Sequence, residues 1–501
     1  MRAAPSLRGA SADMIPIAAT GHSSHRSVVM LAGIIVALAV IRAFIAASIG
    51  LTDDEAYYRL WSLAPAMSYL DHPPMVAWMI AGGRWLAGDT PLGIRLPAIL
   101  GSVLGPFVLW RTAHNLFDAD IGRYAVWIGL AMPLMAVGGV IMTPDIPSVL
   151  FWGLAVWAMS ELQVSRKANW WLAIGIFAGL GLISKYTNLF LGASILIWLV
   201  WQPGNLHWLR TWQLWIGGVI AALATTPVLL WNLQYEWASF IKQFGRAARG
   251  NGVTTQYLVE FVGAFAGLAS PILAALSLLG FALIVGSALK RRQPAHILLA
   301  AVVIPLVVYL WVHALHSRVQ GNWLAPLYPA FAIAAAFAVM SSGSQRLRRL
   351  GALGIATGFL CSAVIYAHAI APLRFMSGMK DPASQTRGWE KFALDIEQLR
   401  RVNGACRIVT SSYATTAQLA YRLENVSVSQ LTEPLRYVHL PPELADKRCP
   451  ALYVELERRQ ANDLLRARFK EIRFLGRIDR NYAGKPLANY TASLVAAPLD
   501  P

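Results

Sequence analysis

The stretch VVMLAGIIVALAVIRAFIAASI (28–49), followed by GLTDDEAYY (50–58), decides the fold class of this 501-residue chain. An apolar run of about 18 residues or more is long enough to cross a bilayer as one helix. Residues 1–27 are polar and contain no long apolar core. We therefore interpret 28–49 as a retained first membrane helix, preceded by a cytoplasmic tail, rather than as a cleaved signal peptide.

The composition indicates that many such runs follow. Hydrophobic residues make up 56% of the chain and charged residues only 14%, whereas soluble globular proteins have about 25% charged residues. This excludes a soluble enzyme, a disordered chain and a fibrous repeat. We predict an α-helical polytopic membrane protein with about eleven transmembrane helices, at 28–49, 92–110, 123–142, 146–161, 170–183, 187–202, 212–232, 259–288, 296–315, 323–341 and 351–371.

The distribution of basic residues predicts the orientation. A net charge of +17 is also typical of nucleic-acid-binding proteins, but Lys and Arg accumulate on the cytoplasmic loops of membrane proteins, and we predict no nucleic-acid partner. With the N-terminus inside, the inner connections hold fourteen Lys and Arg and the outer connections hold eight. An odd number of spans then places residues 372–501 on the outer side, while 28–371 form the membrane domain.

The C-terminal segment 372–501 has a different composition and predicts a small α/β domain on the outer face. Residues 388–402 have the apolar period of an amphipathic helix, and 406–413 and 449–456 are typical of short strands. Cys406 and Cys449 stand at the two strand starts. The sequence leaves two alternatives equally open: the two cysteines form a disulfide in an oxidising periplasm, or they are not paired.

The first outer loop, 50–91, carries the most unusual polar residues. Ionisable groups at the ends of membrane helices are costly and are therefore candidates for function. Thr52 or Asp53 can cap the helix that follows, which explains part of the acidic cluster. Capping does not explain Asp71 and His72, which precede two prolines. One interpretation is that one carboxylate of this loop acts as a base and a second one binds a divalent metal.

Other outer connections add polar groups on the same side of the membrane. They include a second long loop, 233–258, in which basic and aromatic residues alternate. Acids and bases that meet at one membrane interface suit a reaction on a lipid phosphate, because the bases hold the phosphate while an acid activates the nucleophile. The residues concerned are Thr143, Asp145, Ser184, Lys185, Tyr186, Lys242, Arg246, Arg249, His316, Arg318, Gln320 and Asn322.

Five motifs in order resemble the bacterial branch of glycosyltransferase family 39, over about residues 45–345. They are Asp54-Glu55-Ala56-Tyr57-Tyr58, Tyr69-Leu70-Asp71-His72-Pro73-Pro74, Arg95-Leu96-Pro97, Thr143-Pro144-Asp145 and Gly181-Leu182-Ile183-Ser184-Lys185-Tyr186. The resemblance implies the GT-C fold shared with protein O-mannosyltransferases and the lipid A aminoarabinose transferase. It implies an enzyme of the bacterial inner membrane with a periplasmic site.

The resemblance also implies the reaction and its partners. A polyprenyl-phosphate-linked sugar is the donor, a lipid A, lipopolysaccharide core or other glycolipid in the envelope is the acceptor, and the anomeric centre is inverted. Protein O-mannosylation stays open as an alternative, as do a transporter or flippase and an inactive scaffold. Transporters place ionisable groups near the midplane and show paired halves, and neither feature is found in this sequence.

Individual residues receive roles from the same resemblance. Asp54 corresponds to the catalytic base, and Glu55 is grouped with it as a second catalytic candidate. Asp71 corresponds to a metal ligand. The donor phosphate would be bound by His72, Lys185, Arg246 and Asn322, and the substrates would be contacted by Tyr57, Tyr58, Asp145 and Gln243.

This sequence departs from the aminoarabinose transferases at three of these positions. His72 and Asn322 stand where those enzymes have lysine, and Gln243 stands where they have a histidine metal ligand. The use of a divalent cation is therefore an open expectation, and so is the identity of the sugar.

Overall fold

The computed structural model describes residues 21–248, 252–376, 381–441, 449–459 and 462–498. In these residues the membrane part consists of sixteen α-helices, several of them too short to cross a bilayer. They are α1 Gly21–Ser48, α2 Asp53–Leu63, α3 Met75–Ala87, α4 Pro91–Leu116, α5 Ala119–Ala131, α6 Pro133–Gly138, α7 Asp145–Ser165, α8 Trp170–Leu182, α9 Leu189–Trp201, α10 Trp212–Gln234, α11 Ala238–Ala248, α12 Gln256–Ala269, α13 Pro271–Arg291, α14 Pro294–Ala314, α15 Tyr328–Ser341 and α16 Gln345–Ile370.

Seven helices in the described part of the chain are long and apolar enough to cross a membrane. They are Val28–Ser48, Pro91–Leu116, Trp212–Gln234, Pro271–Arg291, Pro294–Ala314, Gly321–Ser341 and Gln345–Ile370, and three shorter apolar helices accompany them at Trp170–Leu182, Tyr186–Trp201 and Gln256–Ala269. The chain thus has the character of a multi-pass membrane protein. The number of about eleven spans stays a prediction.

Two of the predicted spans are divided in the structure. The run 259–288 forms α12 and α13, which are separated by Ser270 with φ of +72° and by Pro271 at the start of the second helix. The run 123–142 is likewise divided before Pro133 into α5 and the short α6. Proline has no N–H for the preceding turn, so an apolar run that contains it does not guarantee one continuous helix.

Small residues allow the membrane helices to pack closely around α15. Ala332, Ala334, Ala335 and Ala336 of this helix are all fully buried. A Cβ atom on Gly280 of α13 would overlap the backbone carbonyl of Ala334. Such contacts between small residues are typical of helix packing in membranes, and here they place α15 at the centre of the bundle.

The C-terminal part is an α/β domain, as the sequence predicts. Its sheet has the strand order β2-β1-β3-β5-β4, in which β1 is parallel to β2 and β3, and β5 is antiparallel to β3 and β4. The predicted amphipathic helix and the two predicted strands are all present. The elements are α17 Trp389–Val402, β1 Arg407–Thr410, α18 Tyr413–Arg422, β2 Ser427–Gln430, β3 Ala451–Leu456, α19 Asn462–Arg466, β4 Phe469–Tyr482 and β5 Lys485–Pro498.

Cys406 and Cys449 form a disulfide, with their Cα atoms 6.0 Å apart. The Cys406 N–H also donates to the Pro450 carbonyl at 2.9 Å, which extends the pairing of β1 with β3 back to the disulfide. The disulfide therefore ties the end of the long β2–β3 connection to the start of β1. This connection matters for the site, because it carries residues 431–441.

The α/β domain docks directly on α2 of the membrane part. Ala417 of α18 is buried among apolar side chains of α2. The Gln418 side chain donates to the Leu51 carbonyl at 3.1 Å and to the Asp53 carboxylate at 2.9 Å. This docking brings α18 and the β2–β3 connection to the edge of the loop that contains the candidate acids.

Candidate active site

The acidic cluster at 53–55 begins α2, and its three members have three different environments. Thr52 is the N-cap: its hydroxyl accepts from the Glu55 N–H at 3.2 Å, and the Glu55 carboxylate accepts from the Thr52 N–H at 2.9 Å. Because Thr52 and Glu55 form this reciprocal capping box, the carboxylates of Asp53 and Asp54 are not needed to cap the helix. Asp53 accepts from Gln418, and Asp54 lines an open cavity.

Glu55 lies outside that cavity, and its environment is that of a structural residue. Its carboxylate forms a fully buried ion pair with Arg95, with contacts of 2.6 and 2.7 Å, and accepts from the Met142 N–H at 3.0 Å. Arg95 also donates to three carbonyls at the end of α1 and just beyond it, those of Ala46, Ile49 and Gly50. These contacts support a structural role for Glu55, because both oxygens of its carboxylate are already engaged, and its grouping with Asp54 as a catalytic candidate stays a prediction.

Asp54 has the environment expected of a general base. The Tyr413 hydroxyl donates to its Oδ1 at 3.0 Å, and no cation in the described part of the chain pairs with it. Burial raises the pKa of Asp54 above its ordinary value, the hydrogen bond from Tyr413 lowers it, and the charges of Asp53, Asp71 and Glu55 raise it further. A carboxylate whose pKa is raised towards the working pH accepts a proton more effectively.

Asp71 is bound by two cations from different parts of the chain. Its Oδ1 lies 3.1 Å from the ammonium of Lys242 in α11. Its Oδ2 accepts from the Tyr57 hydroxyl at 2.9 Å and from the guanidinium of Arg436. The Gln243 side chain donates to the Asp71 carbonyl at 2.6 Å, so both predicted residues lie at one wall of the cavity.

Asp145 and Lys185 form a second ion pair, which joins the start of α7 to the turn that follows α8. The Lys185 ammonium lies 2.5 Å from Oδ1 of Asp145, and the Asn322 side-chain amide donates to Oδ2 at 2.7 Å. Lys185 and Asp145 are largely buried. Three residues that were predicted from separate motifs thus form one contact group.

The cavity has a volume of about 320 Å³ and brings most of the predicted site residues together. Tyr58 and His72 contact each other edge to face, with ring centroids 6.1 Å apart. The side chain of Arg246 lies outside the described residues, so its assignment stays a prediction. The cavity is lined by Asp54, Tyr57, Tyr58, Asp71, His72, Thr143, Pro144, Asp145, Lys185, Tyr186, Thr187, Phe190, Gln243, Tyr309, Gln320, Asn322, Trp323, Tyr413 and Arg436.

Tyr413 and Arg436 are among the lining residues that were not predicted. Both belong to the C-terminal domain, more than 350 positions away from the acids they contact. Arg436 lies in a short 3₁₀ helix, Pro434–Arg436, of the β2–β3 connection. Its local sequence, TEPLRYVH, contains no apolar period or motif that distinguishes it from an ordinary surface loop.

The donor set around Asp71 does not fit a divalent cation. Both of its carboxylate oxygens face positive side chains, and the Gln243 side-chain amide, which stands in place of an imidazole, donates to the Asp71 backbone carbonyl. The described ranges contain no group of three His, Cys, Asp or Glu residues that could hold a metal ion. Hard divalent cations need several anionic or neutral oxygen ligands, and here those positions face ammonium and guanidinium groups.

Comparisons with known proteins agree with this architecture. The model of the family described as dolichyl-phosphate-mannose-protein mannosyltransferase matches residues 71–231. The chain is 26% identical to the lipid A galacturonosyltransferase RgtD of Rhizobium johnstonii over 379 residues, which cover 75% of this chain and 78% of that protein. It is also 26% identical to a polyprenol-phosphate-mannose–protein mannosyltransferase of Corynebacterium glutamicum, over 25% of this chain and 29% of the relative.

The fold is that of a solved transferase. The structure of ArnT from Cupriavidus metallidurans in the apo state superimposes with a TM-score of 0.65 at 15% identity, covering 94% of this chain and 98% of that one. The structure of the same protein bound to undecaprenyl phosphate gives a TM-score of 0.64, covering 92% and 97%. The chain therefore resembles the GT-C glycosyltransferases that include ArnT and the protein O-mannosyltransferases.

Proposed function

We propose that the protein transfers a sugar from a polyprenyl-phosphate donor to an envelope glycolipid, with inversion of the anomeric centre. The observation that carries this proposal is Asp54: a carboxylate without a cationic partner in the described residues, placed in the same cavity as the cations Lys185 and Arg436. Displacement of a phosphate leaving group requires both a base that takes the proton of the acceptor hydroxyl and cations that face the leaving phosphate.

The proposed chemistry uses residues that line the cavity. Asp54 removes the proton from the acceptor hydroxyl while the hydroxyl oxygen forms its bond to the anomeric carbon. The bond between that carbon and the phosphate oxygen breaks, and its electron pair leaves with the polyprenyl phosphate. Lys185 and His72 face the charge that develops on the phosphate, and Tyr57 and Tyr58 border the space for the sugar.

The extended similarity to RgtD favours a lipid A acceptor and a uronic acid donor. That match covers three quarters of this chain, whereas the match to the mannosyltransferase of Corynebacterium glutamicum covers a quarter. Protein O-mannosylation is the second candidate, because the matching family model is described by that reaction. The sugar and the acceptor are the parts of the proposal that need a direct test.

A donor and acceptor panel provides that test. The purified protein is reconstituted in nanodiscs with undecaprenyl phosphate carrying galacturonic acid, aminoarabinose or mannose, and with lipid A or an unfolded secreted protein as the acceptor. We expect a mass increase on lipid A with the galacturonic acid donor. Transfer of mannose to the protein acceptor alone would favour the second candidate, and no transfer from any donor would overturn the proposed function.

We further propose that the cavity and the C-terminal domain face the periplasm across the inner membrane. The Cys406–Cys449 disulfide supports this orientation, because disulfides persist in oxidising compartments. The test uses a Cys361→Ser background and single cysteines at two exposed positions, Lys470 and Gln293. A membrane-impermeant reagent should label Lys470→Cys in intact spheroplasts and Gln293→Cys only after lysis. The reverse pattern would contradict the orientation.

A further inference from the structure

Arg436 enters the cavity from the C-terminal domain and is held there in a fixed orientation. Its Nε donates to the Glu433 carboxylate at 2.8 Å, and its Nη1 donates to the Tyr57 hydroxyl at 3.2 Å and to Asp71. The guanidinium carbon lies 5.4 Å from the centre of the Tyr57 ring and 4.9 Å from that of Tyr413. Two aromatic rings and two carboxylates thus fix the position of one cation.

The remaining nitrogen of this guanidinium is available to a ligand. The Nη2 atom of Arg436 makes no hydrogen bond within the described part of the chain, although the residue lines the cavity and its side chain is only 8% exposed. Burial alone lowers the pKa of Arg436, but its contacts with Tyr57, Asp71 and Glu433 outweigh this and raise the pKa overall. The group therefore stays positively charged at all physiological pH values.

Asp71 belongs to a group of four charged side chains that differ in exposure. Asp71 is 13% exposed and contacts two cations, Arg436 and Lys242, which are 8% and 16% exposed. The fourth member of the group, Glu433, is 45% exposed and pairs with both cations from the solvent side. Water screens the charge of Glu433 more strongly than the charges of the buried groups. At Asp71 itself, two cations therefore contact one well-buried carboxylate, and Arg436 is the one of them that lines the cavity.

We propose that Arg436 binds the donor phosphate through Nη2 and supplies the positive charge that a divalent cation supplies in the aminoarabinose transferases. The inference rests on the proposed function, since it assigns a ligand within the same cavity. The donor is a phosphodiester with one negative charge. When its bond to the sugar breaks, the electron pair stays on the phosphate oxygen, and the charge on the leaving group increases. A planar guanidinium with a free N–H edge binds such a group well.

The proposal makes the C-terminal domain part of the donor site. Asp71 and Tyr57 belong to the first outer loop, Lys242 to α11, and Arg436 to the connection between β2 and β3. All three segments meet at the Asp71 carboxylate. Asp71 is then a positioning residue for Arg436 and Lys242, and the reaction needs no divalent cation at this place.

The test measures phosphate recognition by the full-length protein in nanodiscs. The probes are undecaprenyl phosphate and undecaprenol, which share the tail and differ in the phosphate. The ratio of their affinities isolates the phosphate contact, and a purely structural role of Arg436 would leave this ratio unchanged. We expect Arg436→Gln to reduce the ratio by about 10–100-fold and Arg436→Lys to restore part of it. Arg477→Ala removes an exposed arginine of the same domain and should leave the ratio unchanged.

Chelation of the wild-type protein gives a second readout that does not depend on the folding of any variant. We expect EDTA to leave both the affinity ratio and the transfer rate unchanged. A loss that Mn²⁺ or Zn²⁺ restores would overturn the proposal, and so would a wild-type ratio in Arg436→Gln. If the wild type shows no preference for undecaprenyl phosphate over undecaprenol, the proposed function itself fails, which is a different outcome from a preference that Arg436→Gln leaves intact.

Discussion

The hydroxyl of Tyr413 donates a 3.0 Å hydrogen bond to Oδ1 of Asp54, although 359 positions separate the two residues in the chain. Tyr413 begins α18 of the C-terminal domain, and Asp54 lies in the first turn of α2. The contact joins the proposed base to a domain that the sequence motifs do not include. It also lowers the pKa of Asp54, against the larger effect of burial, which raises that pKa.

Replacement of Tyr413 by phenylalanine should shift the pH dependence of transfer. The Tyr413 hydrogen bond lowers the pKa of Asp54, so its loss raises that pKa further above the ordinary value. Asp54 acts as a base only when it is deprotonated, and activity is therefore lost at a higher pH as the solution is acidified. We expect the acidic limb of the kcat/KM profile to move to higher pH, with a roughly 3–10-fold loss near neutrality. An unchanged profile would remove Tyr413 from the site.

Glu55→Gln should affect stability much more than chemistry. Removal of one partner from a fully buried ion pair costs about 3–5 kcal/mol of folding free energy, and Arg95 would keep only its contacts with the backbone carbonyls. Thermal unfolding in detergent should therefore occur at a clearly lower temperature, while the folded fraction keeps its specific activity. Glu424→Gln, at an exposed position, is the control. A variant of normal stability and no turnover would return Glu55 to a catalytic role.

Lys185→Ala should weaken catalysis through the donor phosphate. A charge-assisted hydrogen bond to phosphate contributes about 1.5–3 kcal/mol, so kcat/KM should decrease by roughly 10–150-fold. The 2.5 Å contact with Asp145 already places the ammonium in the cavity, and Asn322 continues to hold Asp145 after the change. Lys167→Ala, at an exposed position in a different loop, should behave as the wild type. Unchanged kcat and donor KM in Lys185→Ala would contradict the assignment.

Loss of the Cys406–Cys449 disulfide should destabilise the C-terminal domain. The bond joins residues 43 positions apart, and a closed loop of this size corresponds to about 2–4 kcal/mol. The double variant Cys406→Ser/Cys449→Ser should unfold at lower temperature than a Cys361→Ser control, and reducing agent should lower the unfolding temperature of the control alone. If the reducing agent has no effect on the control, the two cysteines do not form a disulfide in the folded protein.

The sequence predicts the helical membrane fold, which depends on local patterns, and its motifs indicate residues that the structure brings together in one cavity. Apolar runs indicate the helices, and the resemblance in the first outer loop indicates Asp54 and Asp71. Glu55 shows the limit of such patterns: it adjoins Asp54, but the helical turn directs it towards Arg95. Side-chain direction within one turn is a property of the folded backbone that adjacency does not reveal.

The other half of the site depends on tertiary contacts without a local signal. Arg436 and Tyr413 reach the cavity only because α18 packs on α2 and because the β2–β3 connection returns to the membrane surface. Neither residue lies in a motif, and the segment TEPLRYVH has the composition of a solvated loop. The sequence marks Asp71 as a candidate metal ligand, and nothing in its 43 Lys and Arg indicates which of them pair with this carboxylate.

The central claim is that Asp54 is the general base, and single-turnover sugar transfer by Asp54→Asn tests it most directly. The substitution keeps the shape of the side chain and removes its ability to accept the proton. We predict a rate lower than that of the wild type by about 10²–10⁴-fold, with undecaprenyl phosphate bound at wild-type affinity and with Asp120→Asn, at an exposed position, unaffected. A rate near that of the wild type in Asp54→Asn, with Asp71→Asn or Glu55→Gln inactive, would contradict the account and assign the base to a neighbouring acid.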